Sequence, residues 1–324
     1  MGKLDELINS RFKWNYLICL VVILLPLAIK SEYYLNLIIL VMMWSVLGMS
    51  WNLLSGYTGQ VSFGHAAFFG VGAYTACLLH VKLGVSLWIG FIMAGIGAAV
   101  VAVPIGWICF RLRGPYFALS VLAFSEVLRL VTLQWKSLTE GAVGILLISP
   151  VIESKLGYYY LILAILVITA AIISYLIKTR AGFYFMAIRE EEEAAEAVGI
   201  WPVRYKLLSL VISAFFTGVM GCFFANYTTF IDPYIVFSIV DISIAVILVV
   251  VLGGIGTFWG PVVGAFVVVL FSEGFRNIFS EAHVLVYGLL IIIVILFLPE
   301  GIVGAALKVY AKQSGRKEEQ RNAA

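Results

Sequence analysis

Long apolar runs alternate with short polar connections along most of the chain. A helix needs about 20 mainly apolar residues to cross a bilayer, and in lipid only helices or closed barrels satisfy their own backbone groups. Runs of this length favour helices, so we predict an all-α, polytopic helical membrane protein with about ten transmembrane spans. The predicted spans are Trp14–Ile29, Tyr34–Leu54, Ala66–Val81, Val85–Phe110, Tyr116–Gln134, Tyr159–Ile177, Leu207–Tyr227, Ile239–Leu252, Phe258–Ile278 and Val284–Leu298.

Three of these runs admit a second interpretation. The first follows basic residues, as a secretory signal would, but it lacks a small-residue cleavage site, so we predict an uncleaved span. The third and eighth runs, Ala66–Val81 and Ile239–Leu252, are either full spans or re-entrant segments. The span count therefore depends on these two.

Composition supports the membrane class. Hydrophobic residues make up 63% of the 324 residues and charged residues 12%, with a mean hydropathy of +1.06. A soluble protein carries about 25% charged residues. The four cysteines and three histidines are scattered, with no pairing or metal-ligand spacing. An integral membrane enzyme would need a cluster of such groups near one interface, so we predict no catalytic residue, no metal and no nucleic-acid partner.

The segment Lys178–Lys206 is the longest polar stretch inside this pattern. Its apolar positions recur at spacings of three and four, which predicts one short amphipathic helix with its glutamates beyond the first turn. Arg189 can pair with glutamates three and four residues away, while Gly199 and Pro202 predict the end of the helix. Such a helix either docks a soluble partner or is a solvated loop whose charges set topology. Its apolar positions are Phe183, Met186, Ala187, Ala194, Ala197 and Val198.

Basic residues predict the orientation. With ten spans, fifteen of the 21 Lys and Arg residues fall on the side that carries both termini and the segment Lys178–Lys206, and four fall on the other side. Basic residues collect on the cytoplasmic side of membrane proteins. Both termini and the segment are therefore predicted to be cytoplasmic.

Two glycine-rich stretches, Gly56–Tyr74 and Gly253–Ala265, fall at predicted cytoplasmic turns. Small residues at four-residue spacing allow close helix packing, and glycine also permits unwound backbone beside a transport pathway. Close packing is the preferred interpretation of the second stretch. The first also carries polar groups near a membrane edge, and these either line a pathway or close a turn: Thr58, Gln60, Ser62, Gly64 and His65.

Charged residues occur inside two predicted spans, as the similar sequences AFSEVLR and LFSEGFR. Glu126 and Arg129 are three residues apart in the first, as are Glu273 and Arg276 in the second. At this spacing each pair can neutralise itself within its own helix, which is the preferred interpretation. Intramembrane charges also mark functional sites, so a gating or substrate role is the alternative.

Several segments resemble LivM-type permeases, the membrane subunits of branched-chain amino acid ABC importers. The similar segments are GYTGQVSFGHAAFFGVGAY, GPYFALSVLAFSEVLRLV, AIREEEEAAEAVGIWPVRYKLLSLVISAFFTGVMG, GGIGTFWGPVVGA and LFLPEGIVG, which follow the family's order from about residue 56 to 304. Glu193, Ala194, Ala195 and Gly199 match the start of the importer-permease motif, EAA followed by three residues and Gly. Its usual Ile-x-Leu-Pro ending is absent, because Ser209, Leu210, Val211 and Ile212 stand there.

The resemblance implies an assembly in a bacterial or archaeal inner membrane. Its parts are two related permeases as a heterodimer, two cytoplasmic ATPase subunits and an extracytoplasmic solute-binding protein. The chain lacks a GxxxxGK[ST] loop, so ATP is expected on the partner ATPases, with no cofactor bound by this chain. On this view residues 1–324 form one transmembrane permease domain, with a coupling loop at 178–206 and a charged cytoplasmic tail at 308–324. Coupling would involve Phe183, Arg189, Glu193, Ala194, Ala195 and Gly199.

Two other transport functions stay open. A urea or short-amide permease of the same family would have a similar sequence. A secondary transporter would need an ionisable relay at the membrane midplane and no docking helix, which fits the sequence less well.

Overall fold

The computed structural model describes residues 25–26, 31–112, 114–147, 152, 154–276, 301–305 and 308. Seven helical stretches among them are long and apolar enough to cross a membrane. The helices are α1 (Glu32–Asn52), α2 (His65–Leu83), α3 (Leu87–Cys109), α4 (Pro115–Gln134), α5 (Lys136–Thr139), α6 (Lys155–Lys178), α7 (Arg180–Glu190), α8 (Glu192–Ala197), α9 (Pro202–Thr228), α10 (Pro233–Val236), α11 (Ala245–Gly253) and α12 (Gly260–Arg276).

These helices confirm the polytopic helical fold, and each predicted span within the described residues has a helical counterpart. The third predicted span is the continuous helix α2 of 19 residues. The eighth, Ile239–Leu252, is continuous, because a π-helical stretch at Ile239–Ile244 runs directly into α11, and α10 precedes it within one candidate span, Pro233–Gly253. The span Val284–Leu298 and nearly all of Trp14–Ile29 lie outside the described residues, so the count of ten stays a prediction.

The centre of the bundle is α9, which packs against α2 and α3. Small residues make this possible, because a Cβ on Gly72 would lie 2.2 Å from the carbonyl oxygen of Gly218, and one on Gly221 would lie 2.0 Å from that of Phe69. Backbones can approach this closely only where side chains are absent. The main core beside this crossing contains buried aromatic and aliphatic residues, among them Ile39, Leu47, Trp51, Phe69 and Phe223.

The second glycine-rich stretch packs α11 against α12. A Cβ on Gly264 would lie 1.8 Å from the carbonyl oxygen of Val249, and one on Gly253 would lie 1.8 Å from that of Gly260. The two helices therefore touch through their backbones, as the preferred interpretation of this stretch predicted.

The segments that follow α5 and α9 pair as a two-stranded antiparallel sheet, β1 (Ile145–Leu146) and β2 (Phe230–Ile231). Next to β2, the carboxylate of Asp232 accepts a hydrogen bond from the Ile235 N–H at 2.8 Å and caps α10. These contacts hold the turn through which the chain passes from α9 into α10 and the π-helical stretch.

Candidate functional site

The segment Lys178–Lys206 folds as two helices, which corrects the prediction of one. α7 ends at Glu190, Glu191 is extended (φ −156°, ψ 110°), and α8 begins at Glu192. In a continuous helix Glu190 and Glu193, three residues apart, would be neighbouring like charges. The break instead places Glu192 and Glu193 in the first turn of α8, where the helix dipole favours carboxylates. The prediction that the glutamates lie beyond the first turn is therefore wrong for these two.

The end of this segment matches the prediction. Gly199 has φ +88°, a left-handed conformation that glycine adopts without strain. Its N–H donates to the Glu196 carbonyl at 2.9 Å, and the Ile200 N–H donates to the Ala195 carbonyl at 3.0 Å. These two bonds form a Schellman cap, and Pro202 then opens α9.

The two sides of α7 and α8 differ in what covers them. Phe185, Ile188 and Ala195 are buried against the bundle. Phe183 and Val198 keep 63% and 77% of their surface exposed. The described residues of this chain thus leave uncovered the large side chains of the predicted apolar stripe. Met186, Ala194 and Trp201 are also exposed.

A buried ion pair attaches α8 to α9. The Lys206 ammonium lies 2.5 Å from a carboxylate oxygen of Glu192, and Lys206 is only 1% exposed. A buried charge is costly unless it is paired, so Glu192 has a structural role in holding α8 in place. In the sequence, Lys206 marks only the end of the polar segment.

Arg189, near the end of α7, is exposed, and its guanidinium bonds the end of α1. Its Nη1 donates a hydrogen bond of 2.7 Å to the Gly56 carbonyl, 133 residues away in sequence. The predicted pairing of Arg189 with Glu192, three residues on, is wrong, and its pairing with Glu193 stays a prediction. The break at Glu191 ends the helical register, and Glu192 pairs with Lys206 instead.

Residues 58–64, called the polar turn here, join the π-helical end of α1 (Leu53–Tyr57) to α2. The Trp51 indole N–H donates to the Ser62 carbonyl at 2.8 Å. At the start of α2, His65 Nε2 lies 2.8 Å from the Ser213 hydroxyl oxygen on α9. The turn is therefore held mainly by side chains of the surrounding helices.

Residues 254–259, called the glycine turn here, join α11 to α12. The amide of Asn52, at the end of α1, bridges to this turn. Its Nδ2 donates to the Thr257 carbonyl at 2.9 Å, and its Oδ1 accepts from the Gly256 N–H at 2.8 Å. Asn52, Arg189 and the two turns thus meet at one end of the bundle, and we call this meeting point the junction.

The junction lies within a stretch that matches a known family. The family model for the permease component of branched-chain amino acid transport systems matches residues 33–295. The chain belongs to this family.

Individual relatives of this permease agree with the family match. The chain is 30% identical to the high-affinity branched-chain amino acid transport system permease protein LivM of Escherichia coli K12, over 81% of this chain and 68% of the relative. It is 24% identical to the high-affinity branched-chain amino acid transport system permease protein LivH of Escherichia coli K12, over 81% of this chain and 91% of the relative. No solved structure matches the chain.

The residues predicted to border the permease's pathway divide into two groups. Ser62, Gly64 and His65 are buried by the chain's own helices, whereas Gln60 is partly exposed. Gln60 lines a surface cleft of about 550 Å³ between the polar turn and the start of α4, with Phe63, Pro115 and Leu119. A pathway role for these residues stays a prediction. Of the four, Gln60 is the residue that lines the cleft.

The first charged pair of the permease forms as predicted. Arg129 Nε donates to a Glu126 carboxylate oxygen at 2.9 Å, and a second guanidinium nitrogen binds the other oxygen. The guanidinium carbon also lies 5.4 Å from the centre of the Tyr234 ring. These contacts neutralise the pair within α4. Glu273 lies on α12, but the side chain of Arg276 is outside the described residues, and with it the second pair.

Two residues that sequence reasoning missed are Asn52, in the junction, and Lys206, which holds α8 on α9. The available signal was the cost of burying a polar or charged group in an apolar environment, since Asn52 lies in an apolar run and Lys206 is followed directly by one. Across the described ranges, no group of three or more His, Cys, Asp or Glu residues could hold a metal ion.

Proposed function

We propose that this chain is one of two related permease subunits of an ATP-driven importer for branched-chain or other hydrophobic amino acids. In this assembly it forms half of the translocation pathway and docks a cytoplasmic ATPase subunit through α7 and α8. The names of its LivM and LivH relatives, two permease proteins of branched-chain amino acid transport systems, support the substrate class and the second permease subunit.

One observation supports the docking most directly. α7 and α8 bury Phe185, Ile188 and Ala195 against the bundle but leave Phe183 and Val198 exposed. Exposed apolar patches mark contact surfaces, and both α7 and the end of α8 carry large exposed apolar side chains. A connecting loop whose charges only set topology would have no need for them. We therefore infer that a soluble partner covers this face.

The identity of the partner follows from the energy that import requires. The chain has no GxxxxGK[ST] loop, so we propose that ATP binds to two partner ATPase subunits and that this chain hydrolyses none. The bias of basic residues favours a cytoplasmic position for α7, α8 and both termini, on the side where those subunits would lie. An extracytoplasmic binding protein would deliver the amino acid on the opposite side.

Cross-linking tests this docking with a matched pair of positions. In a chain without its four native cysteines, Ala194→Cys and Val198→Cys should form cross-links to the ATPase subunit with a short bifunctional reagent. Ala195→Cys is the control, because Ala195 is buried against the bundle and should not react. Cysteines at the exposed positions 183 and 186 extend the test to α7. The absence of cross-links at all four positions, 183, 186, 194 and 198, would contradict the docking.

A further inference from the structure

Arg189 contacts both turns of the junction at once. Its guanidinium donates to the Gly56 carbonyl at 2.7 Å. Its stem and backbone run along the polar turn, where a Cβ on Gly59 would lie 3.1 Å from Arg189 Cγ and 3.2 Å from its Cα. A Cβ on Gly256, in the glycine turn, would lie 2.6 Å from Arg189 Nη1. The close approach of one side chain to both turns therefore depends on glycines at 59 and 256.

The two turns are also connected through the end of α1, which runs into the polar turn at residue 58. Asn52 bonds the Gly256 N–H and the Thr257 carbonyl, and it lies one helical turn before Gly56, the acceptor of the Arg189 bond. A displacement of the Arg189 guanidinium would therefore move several connected segments together. These segments are the end of α1, the polar turn, and the link between α11 and α12.

The backbone of Arg189 belongs to α7, which packs one side against the bundle and exposes the other. Phe185 and Ile188, which precede Arg189 on α7, are buried against the bundle, while Phe183 and Met186 on the same helix are exposed. A partner that moves α7 through its exposed face would move Arg189 with it. Arginine suits this role because its planar group keeps several donors in fixed geometry.

We infer that Arg189 is the positioning residue that transmits the movement of the docked helices to the polar turn and the glycine turn. This inference rests on the proposed docking of an ATPase to α7 and α8. It adds the route by which that docking acts on the membrane part of the permease: from α7, through one guanidinium, to the carbonyl of Gly56 and the backbone at Gly256.

The test uses the complete importer reconstituted in vesicles, with its ATPase subunits and binding protein, and measures amino acid taken up per ATP hydrolysed. Arg189→Gln should lower this ratio about fivefold or more, in the range of typical coupling between sites, with ATPase subunits still bound. Arg189→Lys keeps the charge and one contact, so it should restore part of the ratio. Arg180→Gln is the matched control, since it removes an exposed arginine from the same helix.

A second measurement separates transmission from a purely structural role. A spin-label pair at the exposed positions Val61, in the polar turn, and Val81, near the far end of α2, should report an ATP-dependent distance change in the unsubstituted importer. In Arg189→Gln this change should be lost while ATPase binding persists. An unchanged uptake-to-ATP ratio in Arg189→Gln would overturn the inference, as would loss of ATPase binding in that variant alone. If cross-linking at 194 and 198 fails in the unsubstituted chain, the docking proposal itself fails.

Discussion

The polar turn and the glycine turn reverse the chain at the same end of the bundle, but different contacts hold them. The glycine turn takes side-chain bonds from Asn52, but it also lies between two helices that touch backbone to backbone at Gly253, Gly260 and Gly264. The polar turn is longer, and side chains hold it: the Trp51 indole N–H donates to Ser62, and the Ser55 hydroxyl donates to Gln60.

This difference determines what each turn can do. Backbone contact between helices leaves no space for adjustment, because close-packed interiors transmit strain and do not absorb it. A turn held by single side-chain hydrogen bonds, each worth about 1 kcal/mol net, can change its shape at a small cost. We therefore expect the glycine turn to move as a rigid unit with α11 and α12, and the polar turn to be the part that deforms.

The largest expected effect comes from filling the helix contact beside the glycine turn. Gly264→Val places a side chain where even a Cβ would lie 1.8 Å from the Val249 carbonyl oxygen. Overpacking of this kind costs about 3 kcal/mol, so the detergent-extracted protein should lose its thermal transition or unfold at a much lower temperature. Gly274→Val is the control on the same helix, because within the described part of the chain no atom lies within 4 Å of a Cβ there. Equal thermal midpoints for the two variants would disprove rigid packing of α11 on α12.

A smaller effect is expected when the bridge between the turns is removed. Asn52→Leu deletes the bonds to the Gly256 N–H and the Thr257 carbonyl and leaves both groups unpaired, which should cost about 2 kcal/mol. Hydrogen exchange should then become faster in both turns. Ser55→Ala deletes only the bond to the Gln60 carbonyl, so exchange should become faster in the polar turn alone. If Asn52→Leu leaves the glycine turn as protected as before, Asn52 does not join the two turns.

Local sequence patterns were enough to predict the helices. Each described span lies close to an apolar run, since a bilayer forces such runs to be helical. Gly199 and Pro202 marked the end of the coupling segment because capping depends on neighbouring residues alone. The break at Glu191 was missed because apolar positions keep helical spacing on both sides of it.

Contacts between distant residues could not be predicted in the same way. Arg189 was expected to pair with its neighbours, but its acceptor is the Gly56 carbonyl, and backbone carbonyls carry no sequence signal. Asn52 forms hydrogen bonds with a turn more than 200 residues away in sequence. Lys206 on α9 forms an ion pair with Glu192 at the start of α8. The junction consists of such contacts, so the sequence indicated its parts but not how they connect.

The smallest expected change in stability concerns the cleft beside the polar turn. Gln60→Trp enlarges a partly exposed side chain that faces this volume of about 550 Å³, so the stability should stay within about 0.5 kcal/mol. If the polar turn borders the pathway, this variant should reduce uptake strongly while the importer still assembles, and Gln60→Ala should keep most of the uptake. Gly64→Trp cannot make this distinction, because a Cβ at Gly64 would already lie 2.1 Å from a Val121 methyl group and would disturb the packing. Full uptake by Gln60→Trp would remove the pathway role and leave the polar turn as a structural connection.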